Sequence, residues 1–492
     1  EGEDDTRPGN TAYILENGNL VKTSRSSNIM GDPIWAGGGG ATVEIRSWEN
    51  ELLWSYTLNN DTARLHHDIA ILPNGNIAMI AWELKTEEEA IEAGRNPDLI
   101  ADGEVWSEMI MEVKPQTDEV VWVWKAWDHL IQDYDETKAN FGIIGDKPER
   151  INLNYDSSEG SADWLHMNSL DHDPMNDQLL ISVPTFNEVW VIDHFTTTED
   201  AASSTGGFAG KGGDLLYRWG NNAAYHQGTL GDKKLFYQHD AQFVDDFLSP
   251  AHPLFGKFAA FNNRIGEDFS SVVVWNNTYD MYNASFEKEG LIFSPVDYDF
   301  NRLHPENPQA MYSTGLSSVQ ILPNNNWLVT DGRNGYSFEL TPDDEIVWEY
   351  ITPLKGGVSV PQFTELETNN NLTFRMKRYP VDFEGFAGKT LEGSDYLEID
   401  GDPSFCNQIL PIEMTYDNDL LNVYPNPAKD ILTIEWESLV NEKLQIIDIV
   451  GYVISEFERS GGRIFLDVHN YEEGYYFVRT SRGATKKFII VR

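Results

Sequence analysis

A pattern of short strands that recurs along most of the chain is the feature that most constrains its fold. In each unit an alternating strand is followed by an acidic turn and by a strand that carries tryptophan. The alternating strands are Ala41–Ile45, Met109–Val113, Glu188–Asp193 and Tyr336–Leu340, and the tryptophan strands are Glu51–Tyr56, Glu119–Trp124, Leu215–Trp219 and Glu345–Tyr350. Repeats of roughly 40–60 residues with several strands each predict the blades of a β-propeller.

Asn-Gly pairs mark hairpins inside this pattern. Asn17–Asn19 and Asn74–Asn76 lie between apolar runs, and Asn-Gly accepts the positive φ angles of a tight hairpin turn. The repeats are interrupted by insertions near 84–107, 128–163 and 196–214. Within the first insertion, Thr86–Ala93 is expected to form a short helix because it is rich in Glu and Ala.

The pattern of strands and turns changes towards the C-terminal end of the sequence. Residues 420–492 hold about seven short alternating strands separated by Pro and Gly turns, which predict a small β-sandwich. Residues 407–419 are polar and acidic and are expected to form a linker. We therefore expect an all-β chain, with a propeller in residues 1–406 and a sandwich in residues 420–492.

Charge and composition exclude several classes of partner. The net charge of -45 argues against nucleic acid and against anionic membrane surfaces, because both would repel the chain. No apolar run approaches the roughly 20 residues that a membrane helix needs. Cys406 is the single cysteine, so no intrachain disulfide can form, and it is expected to be a small buried side chain. The chain begins at Glu1 without Met, as expected of a trimmed, mature form.

The C-terminal region resembles the C-terminal sorting domain of the type IX secretion system. The residues that carry the resemblance are Tyr424–Pro427, Ile446–Gly451, Gly474–Val478 and Lys486–Val491. The resemblance implies export across the outer membrane of a Gram-negative bacterium, to the cell surface or the medium. It also implies that residues 420–492 are an address read by the secretion machinery and take no part in chemistry.

Three histidines lie in similar settings in successive repeats. His67, His166 and His239 each precede a short apolar strand and have polar neighbours. Equivalent positions of propeller blades converge on one axis, so these imidazoles are expected to share a pocket. Neutral imidazole is a good nucleophile at physiological pH.

The first part of the chain also resembles the aryl-sulfate sulfotransferase family, whose members are six-bladed β-propellers. The resemblance covers about residues 11–380 and is carried by Leu65–Asn76, Trp127–Asp133, Trp164–Ser169, Glu188–His194, Gly212–Gly220 and Gln238–Gln242. It implies transfer of a sulfuryl group from an aryl sulfate to a phenolic acceptor, without metal or organic cofactor. It places the nucleophile, which becomes a sulfohistidine, at His239. His67 and His166 fall where the family holds the sulfate and protonates the leaving oxygen.

The sequence departs from the family at its sulfate-binding arginine. The matching position is Pro184, and Arg264 and Arg333 are the candidates to replace it from other repeats, because a guanidinium suits a sulfate group. Asn168 is expected to bind substrate or orient an imidazole, and Asp240 to orient one.

The remaining residues of this kind are expected to be supportive. His66 is interpreted as a supporting neighbour of His67, and His129, His172 and His194 as structural. In a later repeat the histidine position is a serine, within Gly315–Asn324, so that blade is expected to be structural or to donate a hydroxyl.

Other readings of the same residues remain open. One is a non-catalytic secreted propeller that binds a glycan or a protein, having lost the arginine. Another is an aryl-sulfate hydrolase, in which water replaces the phenol. Three histidines can bind zinc, but their amide and hydroxyl neighbours do not favour it. A quinone-dependent dehydrogenase would need a calcium site and repeated tryptophan docking motifs, which the sequence lacks.

Overall fold

The computed structural model describes residues 6–26, 32–34, 36–100, 102–155, 160–391, 393, 395–402, 421–448, 453–471, 473–480 and 485–491. The predicted linker 407–419 and Cys406 lie outside the described residues. The chain divides into two compact units, Glu1–Glu398 and Ile399–Arg492. The domain boundaries expected from the sequence stay a prediction.

The described part of the first unit forms five antiparallel sheets of four or five strands, each built from consecutive stretches of chain. The first sheet contains β1 (Thr6–Ile14), β2 (Leu20–Ser26), β3 (Thr42–Arg46) and β4 (Leu52–Thr57). The second contains β5 (Asn59–Asn60), β6 (Ala63–Ile71), β7 (Ile77–Thr86), β8 (Glu104–Lys114) and β9 (Glu119–Lys125). A short parallel pair, β10 (Leu130–Ile131) and β11 (Ile151–Asn152), follows.

Three further sheets complete this unit. The third contains β12 (Ser169–Asp173), β13 (Gln178–Val183), β14 (Glu188–Asp193) and β15 (Tyr217–Trp219). The fourth contains β16 (His239–Phe243), β17 (Phe258–Asn262), β18 (Ser271–Trp275) and β23 (Phe300–Arg302), with the ribbons β19 (Tyr279–Asp280), β20 (Ser285–Phe286), β21 (Lys288–Glu289) and β22 (Ile292–Phe293) inserted. The fifth contains β24 (Ser318–Ile321), β25 (Trp327–Asp331), β26 (Tyr336–Leu340) and β27 (Ile346–Ile351), and the ribbon β28 (Leu354–Lys355) and β29 (Val358–Ser359) follows.

Helices are few and short. The predicted helix is present as α1 (Glu87–Ala93), with Thr86 and Glu89 forming a capping box and Gly94 ending it at a φ of 98°. The second helix is α2 (Thr198–Ala201). Single 3₁₀ turns occur at Pro97–Leu99, Ala126–His129, Ile144–Asp146, Asn222–Tyr225, Leu230–Asp232, Pro308–Ala310 and Glu384–Phe386.

The innermost strands contact one another through one position in each repeat. Asp68 of β6 accepts a hydrogen bond from the backbone N–H of Leu170 on β12 at 3.3 Å. Ser169 accepts one from Ala241 on β16 at 2.9 Å, and Asp240 accepts one from Val319 on β24 at 2.9 Å. A short polar side chain at this position therefore joins each sheet to the next, in chain order.

The closing segment, Phe374–Tyr379, takes the next position. The Met376 N–H donates to Ser318 Oγ at 3.3 Å, which repeats the contact between earlier sheets. On its other side Tyr379 Oη accepts the Ile14 N–H of β1 at 2.8 Å. Tyr13 Oη of β1 donates to Asp68 Oδ1 of β6 at 3.1 Å, so six inner segments form a closed ring. Because the described residues form only five sheets of four or five strands, the predicted count of six blades is not confirmed.

Buried aromatic residues fill the spaces between the sheets. Trp82, Trp106, Trp124, Trp164, Trp190, Trp275 and Trp327 are all fully buried. Each removes a large apolar area from water, which contributes about 2–3 kcal/mol. This packing fixes the sheets and so fixes the positions of the inner strands.

The second unit is one five-stranded antiparallel sheet. Its strands are β30 (Leu421–Tyr424), β31 (Ile431–Asp448), β32 (Val453–Asp467), β33 (Gly474–Thr480) and β34 (Thr485–Ile490). The long β31 pairs with β30 through its first part and with β33 through its last part. Alternate residues of these strands form the core, among them Ile434, Leu444 and Val478. About seven strands were expected in a sandwich, and the described residues contain these five, so the sandwich is not confirmed.

Candidate active site

The three predicted histidines meet at one end of the ring. The ring centroid of His67 lies 4.7 Å from that of His166. The Tyr237 ring lies 6.2 Å from both His166 and His239, between the two. His67 and His166 have φ angles of 50° and 53°, and register shifts occur in β6 between Leu65 and Ile69 and in β16 between His239 and Gln242. These bulges aim the side chains inward.

The hydrogen bonds of His239 define its tautomer. Its Nδ1 lies 2.8 Å from the side-chain oxygen of Asn263. The amide nitrogen of Asn263 donates to the carbonyls of Ser313 and Leu316, at 2.9 and 3.0 Å. That orientation turns the Asn263 oxygen towards the imidazole, so Nδ1 is the donor and Nε2 keeps its lone pair. Burial lowers the pKa of His239 to about 3, so the ring is neutral.

A partly buried carboxylate orients His166. Its Nδ1 lies 2.5 Å from Asp163 Oδ2, and Asp163 Oδ1 accepts a hydrogen bond from Trp82 Nε1 at 3.1 Å. Nδ1 therefore donates to the carboxylate. The other ring nitrogen, Nε2, lies beside Gly37, where an added Cβ would be 3.7 Å away.

His66 supports His67, as the sequence suggested. The two Nδ1 atoms are 2.8 Å apart, and the His66 ring stacks on Trp82 with centroids 3.7 Å apart. Burial lowers the pKa of both histidines well below its usual range. Both imidazoles are therefore neutral and rigidly held.

Two arginines border the pocket without carboxylate partners. The Arg264 guanidinium lies 3.7 Å above the Tyr237 ring. A Cβ on Gly315 would lie 3.2 Å from Arg333 Nη2 and 3.6 Å from His239 Cε1, so Arg333 and the nucleophile candidate border the same small space. Among the residues that the structure describes, neither arginine forms an ion pair, and the buried Arg333 Nε has no hydrogen-bond partner. Two adjacent unpaired guanidiniums are suited to an anion.

The other predicted residues lie nearby but contact different groups. The Asn168 amide donates to the Gln238 carbonyl at 2.8 Å, so it holds the strand that carries His239. Asp240 does not orient an imidazole; its φ of 55° turns it towards Arg375, whose Nε lies 2.6 Å away. Pro184 lies in the turn between β13 and β14, where its carbonyl accepts the Asn187 N–H.

His129 and the serine position are held by hydrogen bonds within the fold. His129 is hydrogen-bonded through both ring nitrogens, to Asp214 and to the Ala201 carbonyl, each at 2.8 Å. Ser317, at the position of a histidine in other repeats, accepts the Gly332 N–H at 2.9 Å. That repeat is therefore structural here.

A glycine run over the pocket was missed by sequence reasoning. A Cβ on Gly38 would lie 2.0 Å from the His67 ring, and one on Gly40 would lie 2.9 Å from the His66 backbone. The Gly38 carbonyl also accepts the His67 N–H at 3.4 Å. Four consecutive glycines, 37–40, were the available signal, since such a run marks a close approach of the backbone.

A layer of buried charge crosses the centre of the ring below the histidines. Arg375 Nη2 lies 2.8 Å from Asp68 Oδ2, and its Nε lies 2.6 Å from Asp240 Oδ1 on the other side. Further along the same inner strands is a cavity of about 870 Å³, whose lining includes Asp171, Asp245 and Lys377. The pocket of the histidines and this cavity are therefore at opposite ends of the ring.

Comparison with known proteins identifies the family of the chain. A family model described as Arylsulfotransferase (ASST) matches residues 12–352, and one described as Secretion system C-terminal sorting domain matches residues 422–491. The chain belongs to the arylsulfotransferase family and carries a type IX sorting domain, which directs it through that secretion machinery to the cell surface or the medium. No helix among the described residues is long and apolar enough to cross a membrane. No curated protein matches the chain.

Solved structures resemble the chain only distantly. A Bacteroides caccae protein of unknown function has 9% identity and a TM-score of 0.35, with 69% of this chain and 80% of that chain covered. Virginiamycin B lyase from Staphylococcus aureus, in a complex with quinupristin, has 10% identity and a TM-score of 0.32, with coverage of 71% and 72%. A Dyadobacter fermentans protein of unknown function has 11% identity and a TM-score of 0.35, with coverage of 71% and 84%. Scores this low support no conclusion about activity.

Proposed function

We propose that the chain is an exported aryl-sulfate sulfotransferase that works through a sulfohistidine at His239, on a propeller whose sixth inner position is the closing segment. The observation that carries the proposal is the tautomer of His239. A buried neutral imidazole with Nδ1 donating to Asn263 presents an Nε2 lone pair next to an unpaired guanidinium, Arg333. A nucleophile and an anion-binding cation in one dry pocket suit transfer of an anionic group.

In the first step His239 Nε2 attacks the sulfur of the aryl sulfate. An N–S bond forms, the aryl O–S bond breaks, and the phenolate takes a proton from the imidazolium form of His166, whose Nδ1 contacts Asp163, while neutral His67 holds the sulfate group. Arg333 and Arg264 take the place of the family's sulfate-binding arginine, whose position is Pro184 in this chain, and hold the sulfuryl oxygens. In the second step a phenolic acceptor, deprotonated by the same histidine, attacks sulfur, and the N–S bond breaks. The protons balance over the two steps, and no metal or organic cofactor takes part.

The direct test is release of nitrophenolate from 4-nitrophenyl sulfate, with and without phenol. We expect release that depends on phenol. Without phenol, we expect the mass of one sulfuryl group on the peptide that contains His239. In the His239→Ala variant, both the release of nitrophenolate and the added mass should vanish. The far-ultraviolet circular dichroism spectrum should be unchanged.

The other outcomes separate the alternatives. Steady release without phenol would indicate a hydrolase, and no release at any pH from mildly acid to alkaline would indicate a binding protein. Transfer retained by a folded His239→Ala would reject the nucleophile.

A further inference from the structure

Two histidines and one carboxylate converge outside the active site, on the third sheet. His172 lies on β12, Asp177 in the turn after it, and His194 directly after β14. His172 Nε2 is 2.8 Å from Asp177 Oδ1, and His194 Nδ1 is 2.7 Å from the same oxygen. One ligand atom from each of the three residues lies within 4.8 Å of the others. Three donor groups therefore point into one small volume.

The backbone holds these groups in place independently of their side-chain contacts. The Asp177 carbonyl accepts the His194 N–H at 3.0 Å. His172 is paired with Leu179, and Gln178 with Asp193, in the ladder of the sheet. The positions of the three residues are thus fixed by strands with many neighbours, which is how metal ligands are usually presented.

A further carboxylate stands behind one of the histidines. His194 Nε2 lies 3.2 Å from Glu112 Oε2 of β8, in the second sheet. The amides of Asn74 and Asn76 donate to the other oxygen of Glu112, at 3.0 and 2.5 Å, and so fix its orientation. A histidine that binds a metal normally donates its second ring N–H to such a carboxylate. His194 Nε2 faces such a carboxylate at 3.2 Å, and its Nδ1 faces the shared volume.

We propose that His172 Nε2, His194 Nδ1 and the Asp177 carboxylate bind one divalent transition metal of the Zn²⁺ class. Zinc bonds to nitrogen and oxygen of about 2.0–2.2 Å place neighbouring tetrahedral ligands about 3.4 Å apart, so each nitrogen must move about 0.6 Å from Asp177 Oδ1. The Asp177 side chain is 37% exposed, which leaves room for that shift and for a water as the fourth ligand. The protons now shared with Asp177 pass to solvent when the metal binds.

The ligand types decide the class of metal. Imidazole nitrogen suits Zn²⁺, Co²⁺ and their neighbours, whereas Ca²⁺ and Mg²⁺ prefer an all-oxygen set. Through Glu112 the metal ties the third sheet to the second. Its role is therefore to stabilise the ring, and sulfuryl transfer at His239 does not involve it.

The test is a Co²⁺ titration of the chelator-treated full chain, without a polyhistidine tag, followed by visible absorption. Metal analysis after equilibration with Zn²⁺ gives the stoichiometry. We expect one equivalent bound and a higher melting temperature with metal. His172→Ala, His194→Ala and Asp177→Asn should abolish the cobalt spectrum. Glu112→Gln should weaken binding about 10–100-fold.

The matched control is His239→Ala, because the active site is the other place where histidines converge. It should retain the full cobalt spectrum. Loss of the spectrum in His239→Ala but not in His172→Ala, or absence of binding in the unmodified chain, would overturn the proposal. If His172→Ala fails to fold, Asp177→Asn decides, since it keeps the shape of the turn: unchanged affinity in that folded variant also overturns the proposal.

Discussion

The two ends of the ring carry opposite kinds of polar group. At the histidine end, neutral imidazoles stand beside Arg264 and Arg333, which lack carboxylate partners among the described residues. At the other end, burial raises the pKa of Asp171 to about 7 and that of Asp245 to about 8. In a chain with a net charge of -45, the carboxylates of Asp171 and Asp245 therefore lie at the end opposite to Arg264 and Arg333, and Asp163, at the histidine end, is paired with His166.

Arg375 lies between the two ends of the ring, and its ion pairs explain how the two kinds of polar group coexist. It bridges Asp68 and Asp240, so these two buried carboxylates of the central layer are paired with a cation. Burial lowers the pKa of Arg375 to about 10, which still leaves it charged at neutral pH. We therefore expect the layer to contribute to stability and the pocket above it to contribute to the proposed activity. Variants on either side should separate these two properties.

The largest effect is expected from Arg375→Met. Removing the guanidinium leaves two buried carboxylates unpaired, which should lower the free energy of unfolding by about 3–5 kcal/mol. Chemical denaturation measures it. The control is Arg378→Met in the same segment, whose pair with Glu339 involves a guanidinium that is 39% exposed and should contribute less than about 1 kcal/mol. Equal losses in the two variants would contradict a special role for the central layer.

Arg333→Ala should have the reverse effect of Arg375→Met, with a loss of activity and little loss of stability. Loss of a cation at the developing charge should lower kcat/KM for 4-nitrophenyl sulfate about 10²–10³-fold, with little change in melting temperature. Arg302→Ala is the control, because Arg302 contacts the carbonyls of Thr341 and Pro342 in the outer part of the fifth sheet. An Arg333→Ala variant that is unstable and fully active would invert the comparison.

Gly38→Ala tests how closely the glycine run covers the histidines. The new Cβ meets the His67 ring, so we expect about a 10²-fold loss of kcat, the scale of a displaced catalytic group. Gly75→Ala is matched to it, since the two glycines have φ angles of 86° and 80° but Gly75 has nothing within 4 Å. Gly75→Ala should cost about 1 kcal/mol of stability and no activity. Full activity in Gly38→Ala would place the run away from the reaction.

Asn263→Asp should give the smallest effect, visible mainly in the pH profile. With a pKa of about 3, His239 is unprotonated from pH 5 to 8, so the single-turnover rate in the original chain should be flat there. A carboxylate beside Nδ1 favours the protonated ring and raises its pKa, so the rate should fall on the acid side at a higher pH. Asn262→Asp, on the neighbouring residue, should leave the profile unchanged. An unchanged profile in Asn263→Asp would mean that Asn263 does not set the tautomer.

The sequence predicts the parts of this molecule that repeat. Tryptophan-containing strands and Asn-Gly turns recur in the sequence, and the strands they predict are present. His67, His166 and His239 could be grouped because each precedes an inner strand, and the structure brings them together. Local chemistry is enough for such features, since strand period and turn type depend on neighbouring residues.

The parts that were missed depend on contacts between distant segments. Asn263 lies 24 residues from His239, and no local sequence pattern indicates which amide side chain contacts which imidazole. Asp240 was assigned to an imidazole because it follows one, but its positive φ turns it to the other side. The sixth blade was expected from the family, whereas only the closing segment of it occurs among the described residues.

The contact between Ile14 and Tyr379 joins positions 365 residues apart. Closing a chain segment of that length costs about 5 kcal/mol in loop entropy, and contacts so distant in sequence slow folding. Arg375 belongs to this last segment. Asp68 and Asp240 therefore lack its guanidinium until the ring closes. Residues near the two ends of the first unit therefore depend on each other, and a chain truncated before residue 374 would lack the contacts of Tyr379 with Ile14 and of Arg375 with Asp68 and Asp240.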